Sequence, residues 1–158
     1  MTEDIARSES LLREWQGLMR TGVDAGRRGE PMVARRLYLQ AQALTQSLLA
    51  RPPCDAVADD DRMAAFVATH LKLADSFQAT GHVSLALAQL WTAHQTLMAL
   101  VRDESACISL RQAALRHSRE TRTALFEYSA QHGSRPEIAD ALRDGCASTL
   151  LPPGAFVH

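Results

Sequence analysis

The stretch LADSFQATGHVSLALAQLWTAHQTL, residues 73–97, sets small residues at Ala74, Gly81, Ala86 and Ala93, with large apolar side chains between them. Small groups at Ala74 and Ala86 let two helices of a hairpin approach closely. Phe77 and Leu90 are large enough to fill the wedge between neighbouring hairpins. Gly81 turns the chain, because glycine enters the left-handed region without steric cost. The stretch therefore reads as two helices joined by a tight corner.

Working outward, apolar and small residues recur at three- and four-residue steps along most of the chain, the period of an amphipathic helix. Leu11, Leu12, Trp15, Leu18, Met19, Gly22 and Val23 place a first helix over 7–28. Gly29-Glu30-Pro31 breaks it, and Pro31 suits the first turn of a second helix that runs to about Ala50. Arg51-Pro52-Pro53 stops that helix. Asp59-Asp60-Asp61 offers negative charge and capping oxygens to a third, over 60–80. A fourth covers 83–101. Asp103 to Ser105 offers caps to a fifth over 105–132, and Pro136 opens a sixth, to about 144. No segment reads as a strand.

The three corners Gly29, Gly81 and Gly133 lie 52 residues apart. A fixed interval is the mark of a repeat. On that alignment Ala34, Ala86 and Ile138 are equivalent, as are Tyr38, Leu90 and Leu142, and Ala41, Ala93 and Gly145. The first two rows agree well and the third fades, as a terminal repeat would.

These residues resemble the tetratricopeptide repeat. The match is carried by Leu73-Ala74, Phe77, Gly81, Ala86, Leu90 and Ala93, and by Thr21-Gly22, Ala25, Gly29, Ala34, Tyr38 and Ala41. Gln46 and Met98 stand where the family places a closing proline, and the units are longer than its repeat of about 34 residues. The resemblance implies an all-α, tetratricopeptide-like stack of about three helical hairpins, the last truncated. An antiparallel helical bundle, which uses the same small-and-large spacing, is the alternative. One domain over 1–146 is expected, with an irregular tail over 147–158. That tail's Leu150, Leu151, Phe156 and Val157 are candidates to cover the last hairpin or a second subunit.

In the resembled family the first helix of each hairpin lines a concave groove. The resemblance places Gln16, Met19, Arg20, Val23 and Arg27 there, then Ala68, Leu71, Lys72, Asp75, Gln78 and Ala79, then Glu120, Thr123, Glu127 and Gln131. Arg20 and Lys72 occupy equivalent positions. The groove would have a basic and an acidic end and would take an extended or helical peptide. The implied role is a non-enzymatic interaction module: an adaptor, regulator or assembly factor with a protein or peptide partner, or a homodimer.

Other classes find less in the residues. A formal net charge of −1 provides no field for gathering nucleic acid. Arg116 pairs naturally with Glu120 one turn on, so the stretch Arg111, Arg116, His117, Arg119, Arg122 reads as a salt-bridged, solvated face. Arg27-Arg28 and Arg35-Arg36 read the same way. No apolar run reaches the roughly 20 residues needed to span a bilayer, and the polar start MTEDIARSES is not a secretory signal, so a cytoplasmic, bacterial protein is expected. Cys54, Cys107 and Cys146 form no CxxC pair. No phosphate loop or nucleophile elbow is present, and no cofactor is expected. His70 reads as a hydrogen-bonded core imidazole. The alternative function is a metal- or small-molecule-sensing bundle using His70, His94, His117 and Cys107, with His94 and His117 meeting across helices.

Overall fold

The structure, a computed structural model, describes residues 2–52, 57–133, 135, 136 and 143. Its elements are α1 (Thr2–Arg27), α2 (Pro31–Ala50), α3 (Asp59–Ala79), α4 (Val83–Arg102) and α5 (Ile108–His132). The chain is all-α, with no strand among the described residues. Each helix packs on the next in sequence, and α3 also packs on α5. The tail and most of the expected sixth helix lie outside the described residues, as do Cys54 and Cys146.

All three corner glycines have positive φ: 76° at Gly29, 78° at Gly81 and 90° at Gly133. The first two corners also share their hydrogen bonds. Glu30 N–H donates to the Ala25 carbonyl at 3.0 Å, and His82 N–H to the Phe77 carbonyl at 2.9 Å. Gly29 and Gly81 each donate three residues back, to Gly26 and Gln78. The next helices start alike, Ala34 donating to Glu30 and Ala86 to His82. Orphan carbonyls at the end of α1 and α3 are thereby satisfied by the turn itself. At the third corner Gly133 donates four residues back, to Ser129, a different pattern.

Packing behind the corners is equivalent in position but exchanged in size. A Cβ on Gly22 would lie 2.5 Å from Cε1 of Tyr38, so only glycine lets α1 approach α2 across that ring. In the second hairpin the equivalent residues are Ala74 and Leu90, both buried in one cluster with Ala86, Leu125 and Tyr128. A larger small residue faces a smaller large one. Phe77 is partly buried against both this cluster and the α1–α2 cluster of Met19, Ala25, Ala34, Tyr38, Ala41 and Leu73.

Two arginines staple α2 to α3 in a way the sequence reading misses. Arg62, at the start of α3, is buried and donates to the Leu48 and Arg51 carbonyls at the end of α2, with Asp59 beside it at 2.9 Å. Arg35, near the start of α2, is buried and donates to the Ser76 carbonyl at 2.7 Å and to Thr80 near the end of α3. Its guanidinium stacks 4.2 Å from the centre of the Phe77 ring. Each cation thus serves the negative end of the opposite helix. Arg111, in the first turn of α5, repeats the device on α4 by donating to Val101 O at 3.2 Å. Arg35 is therefore structural, not a solvated charge.

Two cap assignments need correction. Ala58 and Cys107 are the N-caps of α3 and α5, and neither helix has a side-chain cap. Asp59 and Asp60 lie inside the first turn and bind side chains instead. Asp103 accepts from the amide and hydroxyl of Ser105, closing a turn before α5 begins at Ile108. At the other end α1 begins at Thr2, earlier than the periodicity indicates.

Two stability outcomes follow. Gly22→Ala should destabilise by about 1–2 kcal/mol, because overpacking outweighs the helix propensity that alanine adds. The double variant Gly22→Ala/Tyr38→Leu, which copies the second hairpin, should recover most of that loss in urea denaturation. Arg62→Met should cost about 3–5 kcal/mol by leaving the buried Asp59 carboxylate without its cation and the Arg51 carbonyl without its side-chain donor.

Candidate functional site

One face of the molecule carries three linked depressions, built from α1, α3 and α5 with contributions from α2 and α4. The first, ≈ 480 Å³, runs along α1 and is lined by Trp15, Gln16, Met19, Arg20, Val23, Asp24 and Arg27. The second, ≈ 380 Å³, shares Val23 and Arg27 with it and adds Tyr38, Lys72, Asp75, Ser76 and Ala79. The third, ≈ 530 Å³, shares Asp75 with the second and extends through Leu71, Ala74, Gln78 and Leu90 to Glu120, Thr123, Glu127, Tyr128 and Gln131 on α5. All eight charged and amide candidates, Gln16, Arg20, Arg27, Lys72, Asp75, Gln78, Glu120 and Glu127, line this connected surface. Ala68 does not. It packs on the α1–α2 cluster.

Helical spacing explains the assembly. Gln16, Arg20, Val23 and Arg27 follow at steps of four, three and four, which places them on one stripe of α1. Lys72, Asp75 and Ala79 do the same on α3, and Glu120, Thr123, Glu127 and Gln131 on α5. The α1 and α3 walls are tied beneath the surface where Trp15 Nε1 donates to Thr69 Oγ1 at 2.8 Å.

Asp75 sits where the second and third depressions meet. Its side chain is 70% exposed, with Lys72 Nζ 3.8 Å away. Desolvation between the walls pushes its pKa up, and the Glu127 charge adds to the rise while Lys72 opposes it. On the α2 side, burial raises the pKa of the Tyr38 hydroxyl, and the Asp75 charge raises it further. Glu120 is held by His117 Nδ1 at 2.7 Å. Arg27 pairs loosely with Asp24 at 3.7 Å.

Arg119, Tyr38 and Tyr128 line the surface but were not among the site candidates. Arg119 stands four residues before Thr123, so helical spacing carried the signal. The two tyrosines are buried core positions that lie beneath the depressions, and no sequence pattern announces that.

Arg116 does not pair with Glu120. It binds Asp60 of α3, at 2.9 Å from Nη2, and His117 Nε2 reaches the same oxygen at 3.2 Å. A carboxylate from another helix offers a stronger geometry than the neighbour one turn on. The four residues weighed for metal binding have separate partners: His70 with Gln89, His94 with Thr121, His117 with Asp60 and Glu120, and Cys107 with Asp59. His70 is buried at 2% exposure beside the Phe66 ring, and burial lowers its pKa. Among the described residues no group of three or more His, Cys, Asp or Glu side chains could hold a metal ion. No described helix is long and apolar enough to cross a membrane.

Residues 13–151, most of the chain, match the family described as "Protein of unknown function (DUF2753)". No curated protein and no solved structure matches the chain.

The tie between α3 and α5 has a pH dependence of known sign. The hydrogen bond from Arg116 lowers the pKa of Asp60, assisted by the charges of His117 and Arg116. A lowered folded-state pKa contributes stability above the unfolded value, which is lost as pH falls through the folded one. Asp60 is half exposed, so its share is small, about 0.5–1 kcal/mol. Asp60→Asn should therefore be less stable than wild type by that amount at neutral pH. The gap should close in acid when urea midpoints are compared.

Proposed function

The chain belongs to the DUF2753 family, and we propose that it is a non-enzymatic interaction module whose linked depressions form one groove for a peptide or protein partner. The observation that carries this is their adjacency: Val23 and Arg27 line both the first and the second, and Asp75 lines both the second and the third. A small-molecule site is usually an enclosed pocket with few converging polar groups. Here an open, elongated surface has polar side chains spread along its length and an apolar floor of Met19, Val23, Leu71, Ala74 and Leu90. That composition suits a polypeptide.

The groove belongs to a tetratricopeptide-like stack on this reading. Support comes from the two corners of matching dihedral and hydrogen-bond pattern, and from the packing of α3 on both α4 and α5. Stacked hairpins bury their hydrophobic faces on one another and leave the first helices facing outward along one side. The partner is bound by a pre-formed surface, and no bond is broken.

A photo-crosslinking amino acid tests this in the source cell. Placed at Gln16 or Thr123, on the groove, it should trap a discrete protein or peptide species. Placed at Gln40 or Thr92, exposed on α2 and α4, it should not. Crosslinks from α2 and α4 alone would move the interaction to the opposite face.

A further inference from the structure

We propose that the depression between α3 and α5 receives a cationic side chain, arginine or lysine, from the polypeptide that occupies the groove. This rests on the groove reading above and adds the chemistry of the occupant.

The floor of this depression is apolar, formed by Leu71, Ala74, Leu90 and Tyr128. Such a floor suits the methylene stem of a long basic side chain, which packs on apolar surface while its charged head stays near water. Asp75 from α3 and Glu127 from α5 both line this depression, and the Glu127 charge acts on the Asp75 carboxylate across it. Two like charges across a cleft repel. A cation placed between them turns that repulsion into two attractions.

The surrounding charges do not already fill this role. Glu127 has no hydrogen bond or ion pair among the described residues. Lys72 contacts Asp75 only at 3.8 Å and lines the neighbouring depression, not this one. Arg119 shares the depression but precedes Glu127 by eight residues, about 12 Å along the helix. The third carboxylate, Glu120, is engaged by His117. At the far end of the groove the charged side chains are reversed: Arg20 has no ion pair among the described residues, and Arg27 holds Asp24 at long range. Charge along the groove thus sets a direction, with the basic side chain of the occupant lying over α3 and α5.

Panning a library of random dodecapeptides on the full chain tests the proposal. Selected peptides should carry more arginine and lysine than the input library. The tightest peptide should bind Asp75→Asn/Glu127→Gln at least about tenfold more weakly, and should lose as much when its basic residue becomes citrulline or norleucine. Both substituted positions are exposed, and Glu127→Gln alone provides a milder variant should the pair perturb folding. Selected peptides with no excess of basic residues, or equal binding to the neutralised variants, would overturn this proposal while leaving the groove reading in place. Failure to select any peptide would overturn the groove reading, and this proposal with it.

Discussion

The left-handed glycine corner is the constraint on which the rest of the structure depends. A positive φ at Gly29 and Gly81 lets the following amide reach back five residues and close the helix end. A side chain there would strain the backbone by about 1–2 kcal/mol. Because the two corners turn the chain in the same way, α2 returns along α1 as α4 returns along α3. The small residues opposite the returning helix then set how closely each pair packs. Gly22 opposite Tyr38 and Ala74 opposite Leu90 are two solutions to one volume requirement.

Joining one hairpin to the next needs a different chemistry. The segment between α2 and α3 is rich in proline and cannot continue a helix, so the end of α2 has carbonyls without intrahelical partners. Arg62 supplies the donors from α3, while Arg35 supplies them in the opposite direction from α2. Buried charge is costly by itself, and here each guanidinium has most of its donors engaged. The arrangement specifies which helix ends meet, something apolar packing alone does weakly. At Arg62 the planar guanidinium presents its donors in fixed directions and serves the Leu48 and Arg51 carbonyls together.

Much of the helical framework was legible from periodicity and punctuation. The boundaries of α2 and α4 fall where Pro31, Arg51-Pro52-Pro53 and Gly81 put them, because these residues act locally. The positions of Gln16, Arg20 and Arg27, of Lys72, Asp75 and Gln78, and of Glu120 and Glu127 came from the resemblance to the tetratricopeptide repeat, with helical spacing keeping each set on one side of its helix. Long-range partners were not legible. Arg35 and Arg62 look like any surface arginine until the opposite helix end arrives, and Arg116 chose Asp60 over its near neighbour Glu120. Asp59 and Asp103 were read as caps because local rules favour them there, but Arg62 one turn on, Cys107 at the start of α5 and a tight turn at Ser105 claimed their oxygens. Family membership adds no activity to the account.

The surface left by this packing joins α1, α3 and α5 along one side of the molecule, with acidic side chains concentrated toward α5 and basic ones on α1. The most direct measurement of its role is paramagnetic relaxation in the complex. A nitroxide on a bound dodecapeptide should broaden the amides of Gln16, Lys72 and Thr123 and spare those of Gln40 and Thr92. Broadening confined to α2 and α4 would contradict the account.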